Sequence, residues 1–434
     1  MASSRKARLL LALFWASLKF NVKALTCRSH KAHVVLLHGI FGWTTTEAFG
    51  YPHFKYARIL EETGCFNVHT PAMAILGSNF DRAVQVHAQL VGGVADHGIA
   101  HSGNSSTQHE RYSKNYTTAM IPDFLESSGL PVYFVVHSLG ASTYRQYEIL
   151  LRDGSDAEKA ATPPGNLSSL FEGGHDGVVA GVISLNGAID GTTLIDALGD
   201  NVIELVKKIV FTIEALTGDV ASDLGVYDYD FGYFGARCSD EYTGDECLEY
   251  IMTVPAYNNP NWNDHAGVAN LAGAEELNRQ GDVTSNKTYY MAYVGNATRP
   301  SVFGGGTYMP QRYMSIILKP LAILIGFYKL GDPKFDGWRS SDGVISVPGQ
   351  ECPRLGRDND DHCALFTTVE DMQPGVWYRT YHTLDHISVI GWTTFTDQVE
   401  IGEKIWIDIG GIIQGMEAKH NRAFVSASTI DHVP

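Results

Sequence analysis

The segment Pro131-Val132-Tyr133-Phe134-Val135-Val136-His137-Ser138-Leu139-Gly140-Ala141-Ser142 constrains the fold of this chain more than any other. From Pro131 to Val136 it is rich in β-branched and aromatic residues, with no polar alternation, as in a strand buried in a parallel sheet. Small residues follow at Gly140, Ala141 and Ser142, where a helix has to leave the turn at close quarters. Strand, sharp turn and helix make a nucleophile elbow, which lifts Ser138 Oγ above the sheet and aims the next helix N-terminus at a reacting oxygen. The usual pattern is G-x-S-x-G; here Val136 stands at the first glycine.

A serine hydroxyl is a weak nucleophile until an imidazole takes its proton and a carboxylate fixes the imidazole tautomer. Both partners follow in the chain order Ser, acid, His. Asp342 lies in the polar turn Gly337-Trp338-Arg339-Ser340-Ser341-Asp342-Gly343, just before the short apolar run Val344-Ile345. His386 lies in Thr383-Leu384-Asp385-His386-Ile387, just before a hydrophobic segment. Taken singly, Asp342 reads as a turn residue and His386 as one of 17 histidines. Their order after Ser138 favours a triad.

A tetrahedral intermediate also needs donors for its oxyanion. In α/β-hydrolases these are one backbone N–H from an early loop and one from the residue after the nucleophile. The strand Val34-Val35-Leu36-Leu37 followed by His38-Gly39-Ile40 supplies such a loop. The expected donors are Ile40 and Leu139, with Gly39 allowing close approach and His38 holding the loop.

Beyond these residues the chain resembles the staphylococcal-type lipases together with the thermophilic bacillar lipases. The resemblance rests on Ser78-Asn79-Phe80-Asp81-Arg82-Ala83, Gln89-Leu90-Val91-Gly92-Gly93 and Leu170-Phe171-Glu172-Gly173-Gly174-His175. It continues in Asp190-Gly191-Thr192-Thr193-Leu194 and Gly273-Ala274-Glu275-Glu276-Leu277-Asn278. These segments keep the family's order from about residue 33 to about residue 395. The resemblance implies an α/β-hydrolase fold, carboxylester hydrolysis of acylglycerols, and a triad of Ser138, Asp342 and His386.

It also implies a zinc site of two Asp and two His outside the triad: Asp81, His101, His109 and Asp264. That donor set suits tetrahedral Zn²⁺, although no ligand spacing is compact and the residues alone read as surface polar groups. Family members commonly bind calcium just after the catalytic His. Here Ser388 to Phe395 contains no carboxylate, and Ca²⁺ needs several charged oxygen ligands, so calcium is not carried over.

At 434 residues with 44% hydrophobic content, the chain can bury a large core as one domain with insertions. The net charge of −16 argues against nucleic acid and against anchoring to anionic membranes. Residues 1–24 read as a secretory signal, with Arg5, Lys6 and Arg8 before an apolar run from Leu9 to Leu18 and small residues near Ala24. Six cysteines suit an oxidising compartment, and proximity pairs them as Cys27–Cys65, Cys238–Cys247 and Cys352–Cys363. Sequons begin at Asn104, Asn115, Asn166, Asn286 and Asn296. Ile316 to Phe327 is strongly apolar but interrupted by Lys319 and Pro320, and reads as core rather than a membrane span.

Between Ser138 and Asp342, Leu194, Leu198, Val202, Leu205, Ile209, Ile213 and Leu216 recur at steps of four and three, one face of a helix. A core helix has the same pattern; the resemblance favours a lid over an acyl groove. The loop from Gly98 to Thr118 reads as an exposed excursion, and the tail after Met416 as polar and without periodicity. The expected layout is an α/β-hydrolase domain over 25–434, mostly parallel in its sheet, with helices on both faces and a cap insertion at about 191–270. The expected function is a secreted lipase acting on lipid ester at an oil–water interface, with no nucleic-acid partner and no transmembrane anchor. A phospholipase or other lipid esterase, or a catalytically silent hydrolase-like binding protein, are the alternatives.

Overall fold

A computed structural model describes residues 32–44, 52–75, 77–103, 114–126, 129–199, 269–280, 284–302, 304–354 and 362–430, with isolated positions between 246 and 253. The expected signal segment, Cys27, His109, Asp264, both cysteines of the Cys238–Cys247 pairing and the helical face from Val202 to Leu216 lie outside the described residues.

Among the described residues, seven strands form the central sheet: β1 (His33–Leu37), β2 (Asn67–His69), β3 (Val132–His137), β4 (Val179–Leu185), β5 (Tyr289–Gly295), β6 (Cys363–Leu365) and β7 (Trp377–His382). Their order is β6-β7-β5-β4-β3-β1-β2, and every pairing is parallel. The helices that bear on the site are α1 (Asn79–Val91), α2 (Gly140–Asp153), α3 (Thr193–Leu198), α4 (Leu271–Gln280), α5 (Lys319–Gly326) and α6 (Thr396–Ile430).

Strand residues alternate between two cores because successive side chains point to opposite faces. Val34, Leu36, Tyr133, Val135, Ile183 and Leu185 pack with Ile405, Trp406, Ile409 and Ile413 of α6. Val35, Leu37, Phe134, Val136 and Val182 pack with Val84 and Val86 of α1 and Tyr144 and Tyr147 of α2. Both faces are therefore covered, which is why β3 and β4 are buried along their whole length. Helices on both faces of a parallel sheet are what the sequence predicts.

Segments that the family resemblance singled out lock together here. Asn278 of α4 donates to Ile189 O (3.0 Å) and to Asp190 Oδ1 (2.6 Å). Arg354 adds its backbone N–H to Asp190 Oδ1 at 2.9 Å, with its Nε 3.1 Å from Oδ2. Burial pushes the Asp190 carboxyl up to about 6, against these donors.

Three expectations meet the structure directly. Cys352–Cys363 forms as expected, and Cys65 is also disulfide-bonded. The stretch from Ile316 to Phe327 is not simply core. Ala322 and Ile325 are buried, but Ile316 is 80% exposed, Ile317 56%, Leu324 42% and Phe327 47%. An apolar run without alternation does not reveal how many of its sides the fold covers. The tail after Met416 also differs, since α6 continues to Ile430. Glu417-Ala418-Lys419 and Arg422-Ala423 are good helix formers, so the helix persists where its apolar stripe ends. Lys419 Nζ donates to the carbonyls of Val369, Glu370 and Met372 at 3.2, 2.8 and 2.6 Å.

His87 of α1 gives the fold an acid limit. It is buried, 3.1 Å from Tyr147 OH and 2.9 Å from Ser169 Oγ, and burial, reinforced by His175, lowers its pKa from 6.5 to about 3. The unfolded chain binds this proton first, so the stabilising contribution is complete above pH 6.5 and declines as pH falls toward 3. Denaturant titrations should show the parent losing up to about 1.4 kcal/mol per pH unit per such histidine below that point. His87→Gln should have a shallower slope; equal slopes would show that His87 is not held neutral.

Candidate active site

The site is built where β3 ends. Ser138 takes φ +58, a left-handed conformation uncommon for a non-glycine residue. Such strain persists only where the surroundings over-determine it, and here they do. A Cβ on Gly140 would lie 2.4 Å from Leu37 O, and one on Gly187 would lie 2.6 Å from Ala141 Cβ. The small residues after the serine are thus required by the approach of α2 to β1 and to the loop after β4. Val136 fits without disturbing the turn, because its side chain is fully buried in the face packed by α1 and α2.

His386 Nε2 lies 2.9 Å from Ser138 Oγ, and its Nδ1 lies 2.7 Å from Asp342 Oδ2. All three predicted triad residues are therefore brought together, although 248 positions separate Ser138 from His386. Asp342 is fully buried. Its Oδ1 accepts from the N–H groups of Val344 (2.8 Å) and Ile345 (2.7 Å), so the turn after the acid closes on the acid itself.

A residue that sequence reading missed completes this shell. Asn186, one residue past β4, donates Nδ2–H to Asp342 Oδ2 at 2.8 Å, the oxygen that also faces His386. Asn186 takes φ +45, which Asn tolerates better than most residues. Room for it comes from Gly295, where a Cβ would lie 2.3 Å from Asn186 Nδ2. The sequence offers only Asn-Gly after an apolar run, which signals a turn and nothing more.

The histidine loop is braced on each side of its imidazole. His386 N–H donates to Asp342 O at 3.0 Å, and His137 Nε2–H donates to His386 O at 2.8 Å. Asp385, fully buried, accepts from the N–H groups of Ser388 (2.8 Å) and Ser315 (2.7 Å). The His137 and His386 rings are 4.6 Å apart, and His53 lies 6.0 Å from His137. Burial and the neighbouring His386 hold His137 well below the usual histidine range and lower His53 to about 3. The imidazoles around His386 are therefore neutral near pH 7. They add no fixed positive charge to oppose its protonation.

The His38-Gly39-Ile40 loop lies against the elbow. A Cβ on Gly39 would come 2.5 Å from Ser138 Cβ, 2.7 Å from Ser138 Oγ and 3.2 Å from Leu139 N. His38 Nδ1–H donates to Gly39 O at 2.9 Å, and burial followed by the charge of Arg82 keeps the ring well below its usual pKa. Arg82 is itself fully buried. It donates to His38 O (2.5 Å), Ala74 O (2.8 Å) and Thr143 Oγ1 (2.9 Å), tying α1, the loop after β1 and α2 together.

Of the four expected zinc ligands, Asp81 and His101 come together, with His101 Nε2 3.0 Å from Asp81 Oδ2. His97, which sequence reading passed over, lies with Nδ1 2.6 Å from Asp81 Oδ1. Burial alone would raise the Asp81 carboxyl, but the two imidazoles outweigh it and hold it well below the usual carboxylate range. Carboxylate and imidazole donors suit zinc, but the described residues alone complete no metal shell, and the other two expected ligands are not among them.

Residues 30–418 match the family described as "Lipase-like, C-terminal domain". The chain is 28% identical over 372 residues to a lipase of Staphylococcus epidermidis, and 28% identical over 371 residues to lipase 1 of Staphylococcus aureus. Each match takes in 82% of this chain and 50% of the relative, so the chain spans about half the length of the curated relatives it matches. In structure it is similar to EstA from Clostridium botulinum, with a TM-score of 0.75, 24% identity and 92% of each chain covered. It is also similar to the Staphylococcus hyicus lipase, with a TM-score of 0.69, 22% identity, and 94% of this chain and 99% of that one covered. These likenesses carry the fold, and the match across residues 30–418 carries the family: the chain belongs to the lipase-like C-terminal domain family.

Proposed function

We propose that this chain is a secreted lipase that hydrolyses acylglycerol esters through an acyl-enzyme. The observation that carries the reading is the continuous relay Ser138 Oγ, His386 Nε2, His386 Nδ1 and Asp342 Oδ2, at 2.9 and 2.7 Å, on a serine held at φ +58. Ser138 Oγ attacks the ester carbonyl carbon while its proton passes to His386 Nε2. Asp342 keeps Nδ1 protonated and stabilises the imidazolium. The N–H groups of Ile40 and Leu139 hold the oxyanion. His386 then gives its proton to the leaving alkoxide, freeing the alcohol and leaving Ser138 acylated. Water attacks the acyl carbon and loses a proton to His386, which returns it to Ser138 Oγ as the carboxylic acid departs.

Val136, in place of the usual glycine of the elbow, is accommodated in the core, which supports catalysis over a silent binding protein. The match to staphylococcal lipases supports acylglycerols as substrates. A cap insertion over about 191–270 is part of this reading, and of its helical face α3 is the described part. Secretion is supported by the Cys352–Cys363 bond and by the exposure of the sequon residues Asn115, Asn166 and Asn286.

Ser138→Ala should lower turnover of a short soluble p-nitrophenyl ester by several orders of magnitude, on the scale of triad removal, with folding unchanged. Retained activity would exclude Ser138 as nucleophile. Asn186→Gly removes one hydrogen bond to the Asp342 carboxylate without forcing a strained backbone. It should lower kcat about ten- to a hundredfold with KM little changed, as expected for a bond to a charged group. A change confined to KM would place Asn186 in substrate binding instead.

Zinc at Asp81, His101, His109 and Asp264 is proposed as a structural ion, tying the segment after Gly98 to the cap. Elemental analysis should find about one zinc per chain in the parent and a loss in His101→Ala, with chelator lowering the unfolding temperature. Metal-free parent protein, indifferent to chelator, would exclude the site.

A further inference from the structure

The segment around α5 is apolar on more sides than the fold covers. Met314, Leu318 and Ala322 turn inward into a small cluster with Ala297. Ile316, Ile317, Ile323, Leu324 and Phe327 turn outward, from 38% to 80% exposed, and Leu330 beyond them is 50% exposed. A contiguous exposed apolar face of this kind marks an interaction site rather than ordinary surface.

Its charges run opposite to those of the chain. From residue 312 to 335 the ionic residues are Arg312, Lys319, Lys329 and Lys334 against Asp332 alone, in a protein of net charge −16. Lys319 Nζ donates to Arg312 O at 3.1 Å, and the Lys329 ammonium lies 4.6 Å from the centre of the Phe335 ring. Apolar side chains bordered by cations match a layer of acyl chains beneath negative headgroups. The overall negative charge acts only weakly at this patch, since exposed charges are screened beyond about 8–10 Å at moderate salt.

The inward side of the same segment holds the two loops of the relay. Ser315 N–H bonds Asp385, the neighbour of His386, at 2.7 Å. Gly343, the neighbour of Asp342, has φ +106, and a Cβ there would lie 3.1 Å from Leu318 Cβ and 3.4 Å from Met314 Cε. Val344 and Ile387 pack against the same cluster. The apolar face is therefore the outer side of the wall on which the Asp342 and His386 loops rest.

We propose that the outward face of residues 316–330 is a docking surface for aggregated lipid carrying anionic headgroups. Ile316, Ile317, Leu324 and Phe327 enter the acyl layer, and the flanking lysines sit at headgroup level. This brings the wall that carries the Asp342 and His386 loops to the lipid surface without relying on the expected lid. The proposal rests on the lipase reading only for its purpose, because docking is measured without turnover.

The test is vesicle flotation of the full chain carrying Ser138→Ala, with phosphatidylcholine vesicles made with and without phosphatidylglycerol. The protein should float with both, more with phosphatidylglycerol, and the increment should fall with added salt. Ile316→Ser with Phe327→Ser should weaken flotation about tenfold or more, in keeping with lost apolar burial. Lys329→Gln with Lys334→Gln should remove most of the phosphatidylglycerol increment alone. Circular dichroism and unfolding temperature check that each variant is folded, and the lysine pair tests the surface should the apolar pair fail to fold. Flotation of the apolar variant equal to that of its parent, or no flotation of the parent, overturns the proposal. So does a dimeric parent made monomeric by the apolar pair, which would make a second copy the occupant. Cross-linking from position 316 to residues 200–268 in lipid-free protein would mean that the chain covers this face itself, and would overturn it as well. Loss of esterase activity in Ser138→Ala tests the triad separately and leaves the flotation result standing.

Discussion

Asp342 is a carboxylate with no access to water, and a buried charge is tolerated only when it is fully hydrogen-bonded. Four donors meet it, the side chains of His386 and Asn186 and the backbone N–H groups of Val344 and Ile345. They come from three separate stretches of chain, so satisfying one acid fixes the loop after β4, the loop after β7 and its own turn relative to one another. Gln350 extends the constraint, accepting from Gly295 N–H (2.7 Å) and donating to Gly295 O and Ile345 O (both 3.0 Å). The spacing of the relay follows from this electrostatic requirement.

On the other side of Ser138 the constraint is steric. Gly39, Gly140 and Gly187 each occupy a place where a single methyl would strike another part of the turn. Arg82 then fixes the loops after β1 and β2 by charge-assisted bonds to His38 O and Ala74 O. Burial lowers its own pKa to about 9, yet it remains charged at neutral pH. One face of the nucleophile is set by packing and the other by polar satisfaction.

The sheet was legible because buried parallel strands are apolar along their length, as Val34–Leu37 and Val132–Val136 are. The triad was legible because its order along the chain is itself a signal. Asn186 and His137 were not, since their importance lies in which atom they reach across the sheet, and neither residue type nor spacing encodes that. Arg82 and Asn278 appeared in sequence only as parts of a resemblance; their roles emerge as bonds between segments distant in the chain. For the apolar run at 316–327 the sequence showed the hydrophobicity but not how much of it the fold would leave uncovered. The continuation of α6 past Met416 was hidden for another reason, since helix propensity without an apolar stripe leaves no periodicity to read.

Helix α6 packs Ile405, Trp406, Ile409 and Ile413 on one side of the sheet, beside Ala57, Ile59 and Leu60, and its Trp406 donates Nε1–H to Val389 O at 2.8 Å, just past the His386 loop. It follows every described strand in the order of the chain. During synthesis, therefore, the strands bearing Val34, Tyr133 and Ile183 are made before the helix that packs on them. The brace on the histidine loop arrives only after all the described strands have been synthesised. A chain interrupted before Trp406 would carry all three relay residues yet lack the contact that steadies the loop of one of them, so the relay is fully braced only once α6 is in place.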